Sequence, residues 1–385
     1  QNGAGLGLII MSMLIWPEYL RVPVGLAAMS VPRILGLVLV IKIYLNGDHR
    51  KSATTVVDKC VLFVWVWSLF AGIFVDASNV HLTQMLGRFF DTVLMYFIGK
   101  WSLQSKEDNK SLYRCLTIIA IVMGGVGCYE AFTTYSPYSG MTAYRTWSWI
   151  DKPPEFRYGL LRAQASTSVP LFFGMAMMLI AGWLWALKGY SENKYVYVIA
   201  IVFAFLGALS SMSSGPWIAC FVLFIFSLYQ NKIQYIRPSL YALLFIALLL
   251  EIASNRHFYN LIDYIAINSQ TAWYRTRLME VAVDNLHEYW LFGVGSNHPH
   301  HWAAQLDGRK HIDIVNHFLL VALYGGLPGM IGYVMSHYYA VKFAIKSWVK
   351  AKSISEKKMI FMLVATLVTL DISSMSVSLF GPSLL

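Results

Sequence analysis

Arginine and histidine carry most of the chemistry available to this chain, and neither is spread evenly. Arg21, Arg145, Arg157, Arg162, Arg256, Arg275, Arg277 and Arg309 fall in segments on one side of the apolar runs. Those segments hold only Lys152 and Lys310 of the lysines. Arginine offers a planar fork of donors that stays charged and matches the oxygens of phosphates and carboxylates in pairs. An Arg-rich, Lys-poor face is therefore what a diphosphate or carboxylate site requires. The plainer alternative is that these arginines pair with Glu155, Asp263, Asp284 or Asp307 and hold loops together. His257, His287, His298, His300, His301, His311 and His317 lie between 254 and 317. The run His298-Pro299-His300-His301 invites a metal, but no HExxH or fixed third ligand accompanies it, and no metal site is expected. Asp313 is expected to cap a helix over 314–324, which puts Asn316 and His317 in its first turn. The helix dipole disfavours imidazolium there, so His317 is expected to stay neutral and able to take a proton. The alternative is that it caps a carbonyl or packs at an interface.

The elements that position these residues are set by composition. Of 385 residues, 57% are hydrophobic and only 13% charged, with a mean hydropathy of +0.54. Soluble domains carry about 25% charged residues. The apolar residues come in long runs, which excludes a disordered chain, a coiled coil and a disulfide scaffold. The net charge of +10 reflects basic loops on one side of a membrane, so no nucleic-acid partner is expected. The chain opens at Gln1 without Met or a cationic leader, and a trimmed N-terminus is expected rather than a cleavable signal peptide.

A spanning helix needs ~20 apolar residues. The expected spans are 3–16, 24–45, 56–75, 84–101, 112–131, 168–187, 194–212, 215–230, 239–253, 327–346 and 358–379. Lysine-rich loops around 42–59, 100–114, 188–194, 232–237 and 346–358 share one face only if 314–324 does not cross. That piece is expected to be a re-entrant or surface helix, turned into the next span by Gly325-Gly326-Leu327-Pro328-Gly329. The fold class is an all-α polytopic membrane protein of about 11–12 transmembrane helices. It forms one membrane domain, 1–385, with outward segments at 132–167 and 254–325. Within the second, Leu278, Ala282, Leu286 and Trp290 recur at helical spacing, and a surface helix is expected over 274–290. Tyr135, Tyr138, Tyr144, Trp147 and Trp149 suit either sugar stacking or an interfacial belt. Arg33, Arg88, Asp91 and Asp371 lie in or near spans, where charge is costly. Arg88 and Asp91, three apart, make either a self-paired bridge or a site.

Four motifs in order resemble the bacterial O-antigen polymerase and ligase superfamily (Wzy and WaaL type). They are Arg162 leading to Pro170 with Arg157 upstream, Ser213-Ser214-Gly215-Pro216-Trp217, Arg275 leading to Gly293-Val294-Gly295, and Asn316-His317-Phe318-Leu319 with Gly326-Leu327-Pro328-Gly329. The resemblance covers about 157–346. Ligases of the family tend to read His-Asn at the last helix start, and Asn316-His317 is closer to the polymerases.

The resemblance implies a GT-C-like, inverting, metal-independent glycosyltransferase of the inner membrane, with its site facing the periplasm and no cofactor. Its donor would be an undecaprenyl-diphosphate-linked oligosaccharide. Its acceptor would be a second lipid-linked repeat in an O-antigen or exopolysaccharide polymerase, or lipid A core in a ligase. The bilayer and a chain-length regulator are the further partners. His317, Arg275 and Arg162 would be catalytic, and Arg157, Arg277, Asn316, Arg145 and His311 would bind substrate. A lipid-linked glycan flippase is the rival from another class. It would place polar residues through the bundle, whereas here they gather on one outer face.

Overall fold

The computed structural model describes residues 2–17, 19–25, 27–75, 79–144, 154–232, 235–236, 238–239, 241, 245, 269–295, 299–306, 312–375 and 377. The chain is an all-α polytopic membrane protein. Helices α1 (Asn2–Ile15), α2 (Val31–Leu45) and α3 (Val56–Val75) come first. Next, α4 (Asn79–Arg88) runs through a π-helical stretch, Phe89–Leu94, into α5 (Met95–Ser102). Then follow α6 (Lys106–Thr133), α7 (Pro170–Ala186), α8 (Lys194–Ser210) and α9 (Ser214–Tyr229). Two helices between the apolar spans are α10 (Ser269–Asp284) and α11 (Leu286–Tyr289), and α12 (His317–Lys350) and α13 (Ile354–Ser374) close the described bundle. The expected span 239–253 lies mostly outside the described residues.

Four segments, Val56–Val75, Lys106–Thr133, Pro170–Tyr190 and His317–Lys350, are long and apolar enough to cross a membrane on their own. Apolar side chains on their outer faces, such as Phe70 and Phe74 of α3 and Ile331 and Tyr338 of α12, are 47% to 64% exposed. Water would penalise such stripes and hydrocarbon does not. The helices approach closely through small residues. A Cβ on Gly124 of α6 would meet the Phe203 carbonyl of α8, and one on Gly182 of α7 would meet Thr366 of α13.

The second expected span starts later than its hydropathy suggests. Residues 22–24 and 27–29 pair as a short antiparallel hairpin, and α2 begins after Ser30 with Pro32 in its first turn. Proline there gives up only a donor the helix leaves unused. Of the two readings open for Arg88 and Asp91, the self-paired bridge is not what forms. Asp91 instead takes both forks of Arg33, Nε to Oδ1 at 2.8 Å and Nη2 to Oδ2 at 2.6 Å. Arg33 is 2% exposed. Removing one partner of such a buried pair costs about 3–5 kcal/mol.

The expected short helix and crossing helix form one bent helix. Over 34 residues α12 would extend ~51 Å if straight, longer than a bilayer core. It breaks at Gly325 (φ −135°, ψ 18°) and Gly326 (φ 64°, ψ −173°), leaving a foot, 317–324, before the long crossing part. The freed backbone groups are satisfied from outside the helix. Leu327 N donates to Trp290 O at 2.8 Å, and Val294 N donates to Leu323 O at 2.6 Å. Trp67 Nε1 of α3 donates to Gly325 O at 2.7 Å. A Cβ at Gly326 would lie 2.1 Å from the Leu291 carbonyl, so this position requires glycine for both its angle and its space.

Helices α10 and α11 have their own core. Tyr274, Leu278, Val281 and Ala282 of α10 pack with Trp302, Leu306, Ile314 and the foot residues Leu319, Leu320 and Leu323. The expected stripe therefore holds for Leu278 and Ala282 only. The helix breaks at Asn285, and Leu286 and Trp290 end up exposed.

Candidate functional site

Two residues with positive φ, Tyr158 and Gly159, form the turn between two short antiparallel strands, Phe156–Arg157 and Leu160–Leu161. Positive φ at both central positions suits a tight two-residue hairpin. The turn sets Arg157 and Arg162 on the same small ribbon, facing the α8–α9 junction. There Arg157 Nη1 donates to Met212 O at 2.9 Å. Arg162 donates through Nη2 to Ser213 Oγ at 2.7 Å, through Nε to Ser211 O at 3.3 Å, and through Nη1 to Glu155. Met212 has φ 47°, a conformation that turns the chain sharply between two helices and presents three consecutive residues to the arginines.

The loop after Arg162 is pinned from below. Ala163 N donates to Ser210 O at 3.0 Å. Gln164 N and Ala165 N both donate to Glu130 Oε2, at 2.9 and 2.8 Å. Glu130 is fully buried near the end of α6. A carboxylate accepting two backbone donors is a strong anchor. Ser166 Oγ donates to Leu14 O of α1.

Arg275 reaches the same place from α10. Its neighbour Tyr274 holds the chain at Asp313, donating to Asp313 O at 2.9 Å and accepting from Asp313 N at 2.9 Å. Burial lowers the Arg275 guanidinium below the usual range, Asp313 opposes this, and Arg157 lowers it further. Burial does the same to Arg162, with Glu155 opposing and Arg157 adding to the fall. Arg157 is therefore within electrostatic reach of both. Three cations from two distant stretches are thus electrostatically coupled, with Glu155 and Asp313 as the countercharges among these interactions. Arg275 Nε is buried and has no hydrogen-bond partner.

The other expected site residues divide. Arg277 points away, pairing with Glu280 at 2.9 Å and with Gln305 O at 3.3 Å. Asn316, not Asp313, caps α12, with Oδ1 accepting from Leu319 N at 3.0 Å. The helix starts at 317 rather than 314, so Asn316 stands before the first turn. Its Nδ2 donates to Met375 O at 3.0 Å. His317 is wholly buried and packs edge-on against Tyr333, ring centres 5.1 Å apart. Arg145 and His311 lie outside the described residues. So do Trp147 and Trp149, while Tyr138 donates to Ile15 O at 3.0 Å. His301 binds Glu288 at 2.9 Å.

Residues 199–334 match the Wzy_C family model, O-antigen ligase. The match supports the O-antigen ligase and polymerase superfamily and a membrane enzyme of that kind. The Wzy_C region takes in the Ser213–Trp217 turn, the Arg275–Gly295 segment and the Asn316–Gly329 stretch that holds the foot. The hairpin with Arg157 and Arg162 precedes it and docks onto its first turn. No curated protein matches the chain. Glu130 and Ser213 carry no role in the sequence reading. The signal for Glu130 was there, since it is an acid near the end of an apolar span. Ser213 was visible only as a turn residue.

Proposed function

We propose that the chain is a GT-C-like inner-membrane glycosyltransferase that polymerises undecaprenyl-diphosphate-linked O-antigen or exopolysaccharide repeats at the periplasmic face. The acceptor hydroxyl oxygen attacks the anomeric carbon of the donor sugar. The bond from that carbon to the diphosphate oxygen breaks, and undecaprenyl diphosphate leaves with the electron pair. One displacement inverts the anomeric configuration. Arg157, Arg162 and Arg275 receive the charge that develops on the leaving diphosphate, and donors fixed in advance do this without reorganising. An imidazole takes the hydroxyl proton. His317 fills that role only if the foot of α12 shifts to uncover it, and His311 or His301 is the alternative.

The observation that carries the reading is the seating of Arg157 and Arg162 on the α8–α9 junction, with Arg275 electrostatically coupled to Arg157, in a membrane protein with a Wzy_C region. The ligase reading, transfer to lipid A core, is favoured by the description of the matching family. One experiment separates the two. Purified protein is given an undecaprenyl-diphosphate-linked oligosaccharide with EDTA, with and without lipid A core, and products are resolved by size. A ladder without lipid A core supports polymerisation. Product only with lipid A core supports ligation. No product with either acceptor from a matched repeat sinks the transferase reading.

A further inference from the structure

Arg88 stands apart from the arginines used above. With Asp91 engaged by Arg33, Arg88 has no carboxylate partner among the described residues. Its guanidinium lies over the Tyr324 ring, 3.2 Å from the centroid. It faces a cavity of about 330 Å³ bounded by α3, α4 with its π-helical continuation, and both parts of the bent helix α12. The other polar groups on the wall include Ser68, Tyr96, Ser336 and His337, and none of the described lining residues is acidic; the nearest carboxylates stand behind the wall, Asp58 accepting from Tyr96 at 2.6 Å and Asp371 lying 3.7 Å from His337. The remainder is apolar, from Val57, Val61 and Val64 to Leu320 and Leu367. A cation inside a membrane bundle is costly unless something neutralises it. The Tyr96 and Ser336 hydroxyls already donate to Asp58 and to Tyr333 O, so the Arg88 guanidinium is the group that suits acceptor oxygens, and the apolar wall suits hydrocarbon. The volume falls in the range of pockets that hold small ligands.

We propose that this cavity binds the phosphate group of a long-chain lipid, with Arg88 as the phosphate-binding cation. The site is distinct from the arginine trio. Tyr324 is the last residue of the foot, and His317, at the foot's other end, lies within electrostatic reach of Arg88. The foot therefore separates two anion sites, one beside Asp313 and Arg275 and one beneath Tyr324. This deepens the transferase reading by giving a second lipid a place, and rests on that reading only for which lipid it is.

The test measures binding and needs no turnover. Full-length protein in detergent carries Arg162→Ala and Arg275→Ala, which removes the trio. Its thermal unfolding is followed with a polyprenyl monophosphate, the matching polyprenol, and inorganic phosphate. The lipid phosphate is expected to give a saturable rise on the order of a few degrees, and the other two none. Adding Arg88→Met is expected to abolish the rise. Ser336→Phe, which fills the cavity and keeps Arg88, is expected to do the same and serves if the Arg88 variant fails to fold. An equal rise with polyprenol would show an apolar groove only, and an equal rise with inorganic phosphate a free-anion site. Either result, or a rise that survives the substitutions, overturns the proposal. A positive result in a protein that makes no glycan would leave this site standing and remove the transferase reading.

Discussion

The Arg162 guanidinium donates to the Ser213 hydroxyl at 2.7 Å across 51 positions of sequence. That bond joins the hairpin preceding the Wzy_C region to the first turn inside it. Arg162 also donates to Ser211 O, so the α8–α9 junction fixes where the cation stands.

Replacing Arg162 or Arg275 by Ala is expected to lower glycan formation at least ~100-fold, the scale for losing one preorganised donor at a developing charge. Arg162→Lys is expected to fall nearly as far, because a single ammonium does not reproduce the fork to Ser213 and Glu155. Product size analysis reads the loss, and thermal unfolding checks that the fold persists. Wild-type product from either Ala variant would refute the diphosphate role.

Ser213→Ala leaves the arginine but removes one acceptor from it. A hydrogen bond to a charged group is worth about 1.5–3 kcal/mol, so a loss of roughly tenfold or more in kcat/KM is expected. Unchanged kinetics would mean that Glu155 and the Ser211 carbonyl hold Arg162 unaided.

Arg277 is the internal control. Its partners are an exposed Glu280 and a backbone carbonyl, and surface pairs contribute about 0–1 kcal/mol. Arg277→Ala is expected to keep activity within about twofold on that scale. A collapse of activity would put Arg277 in the site and require α10 to rotate.

His317 is tested by two substitutions. His317→Phe keeps an aromatic ring against Tyr333, and His317→Ala leaves a cavity, for which a loss of a few kcal/mol is expected. If the imidazole is the base, both lose turnover while donor binding persists, and only the Ala variant unfolds earlier. Full turnover in the Phe variant would move the base to another histidine.

The parts of the fold written in local sequence were readable, and the parts written between helices were not. Runs of apolar residues mark most spans because the bilayer demands them. The Gly325–Gly329 turn marked the break in α12 because few other residues tolerate that backbone. The start of α2 was misplaced because residues 22–29 are apolar enough to continue a span while forming a hairpin. Spacing offered Asp91 a bridge to its helical neighbour Arg88 or a place in a site, and could not show that Arg33 from another helix supplies two aligned donors. The trio was named from residue type and side, but its convergence depends on the Met212 turn and on Tyr274 holding Asp313. The same reasoning placed Arg277 with them, since spacing two apart does not say which faces inward. Capping by Asn316 rather than Asp313 moved His317 from an accessible first turn to a buried one.

The bend in α12 bears on how the chain is made. Its freed amides and carbonyls are met by residues 290–294 and by Trp67, so the foot has no stable place in lipid until those arrive. During synthesis α3, α10 and α11 emerge before α12, and both partners are waiting when the glycine pair leaves the ribosome. A circular permutant that places α12 first would present the broken helix to the insertion machinery without them. The order of segments along the chain is thus part of what lets a broken helix be inserted at all.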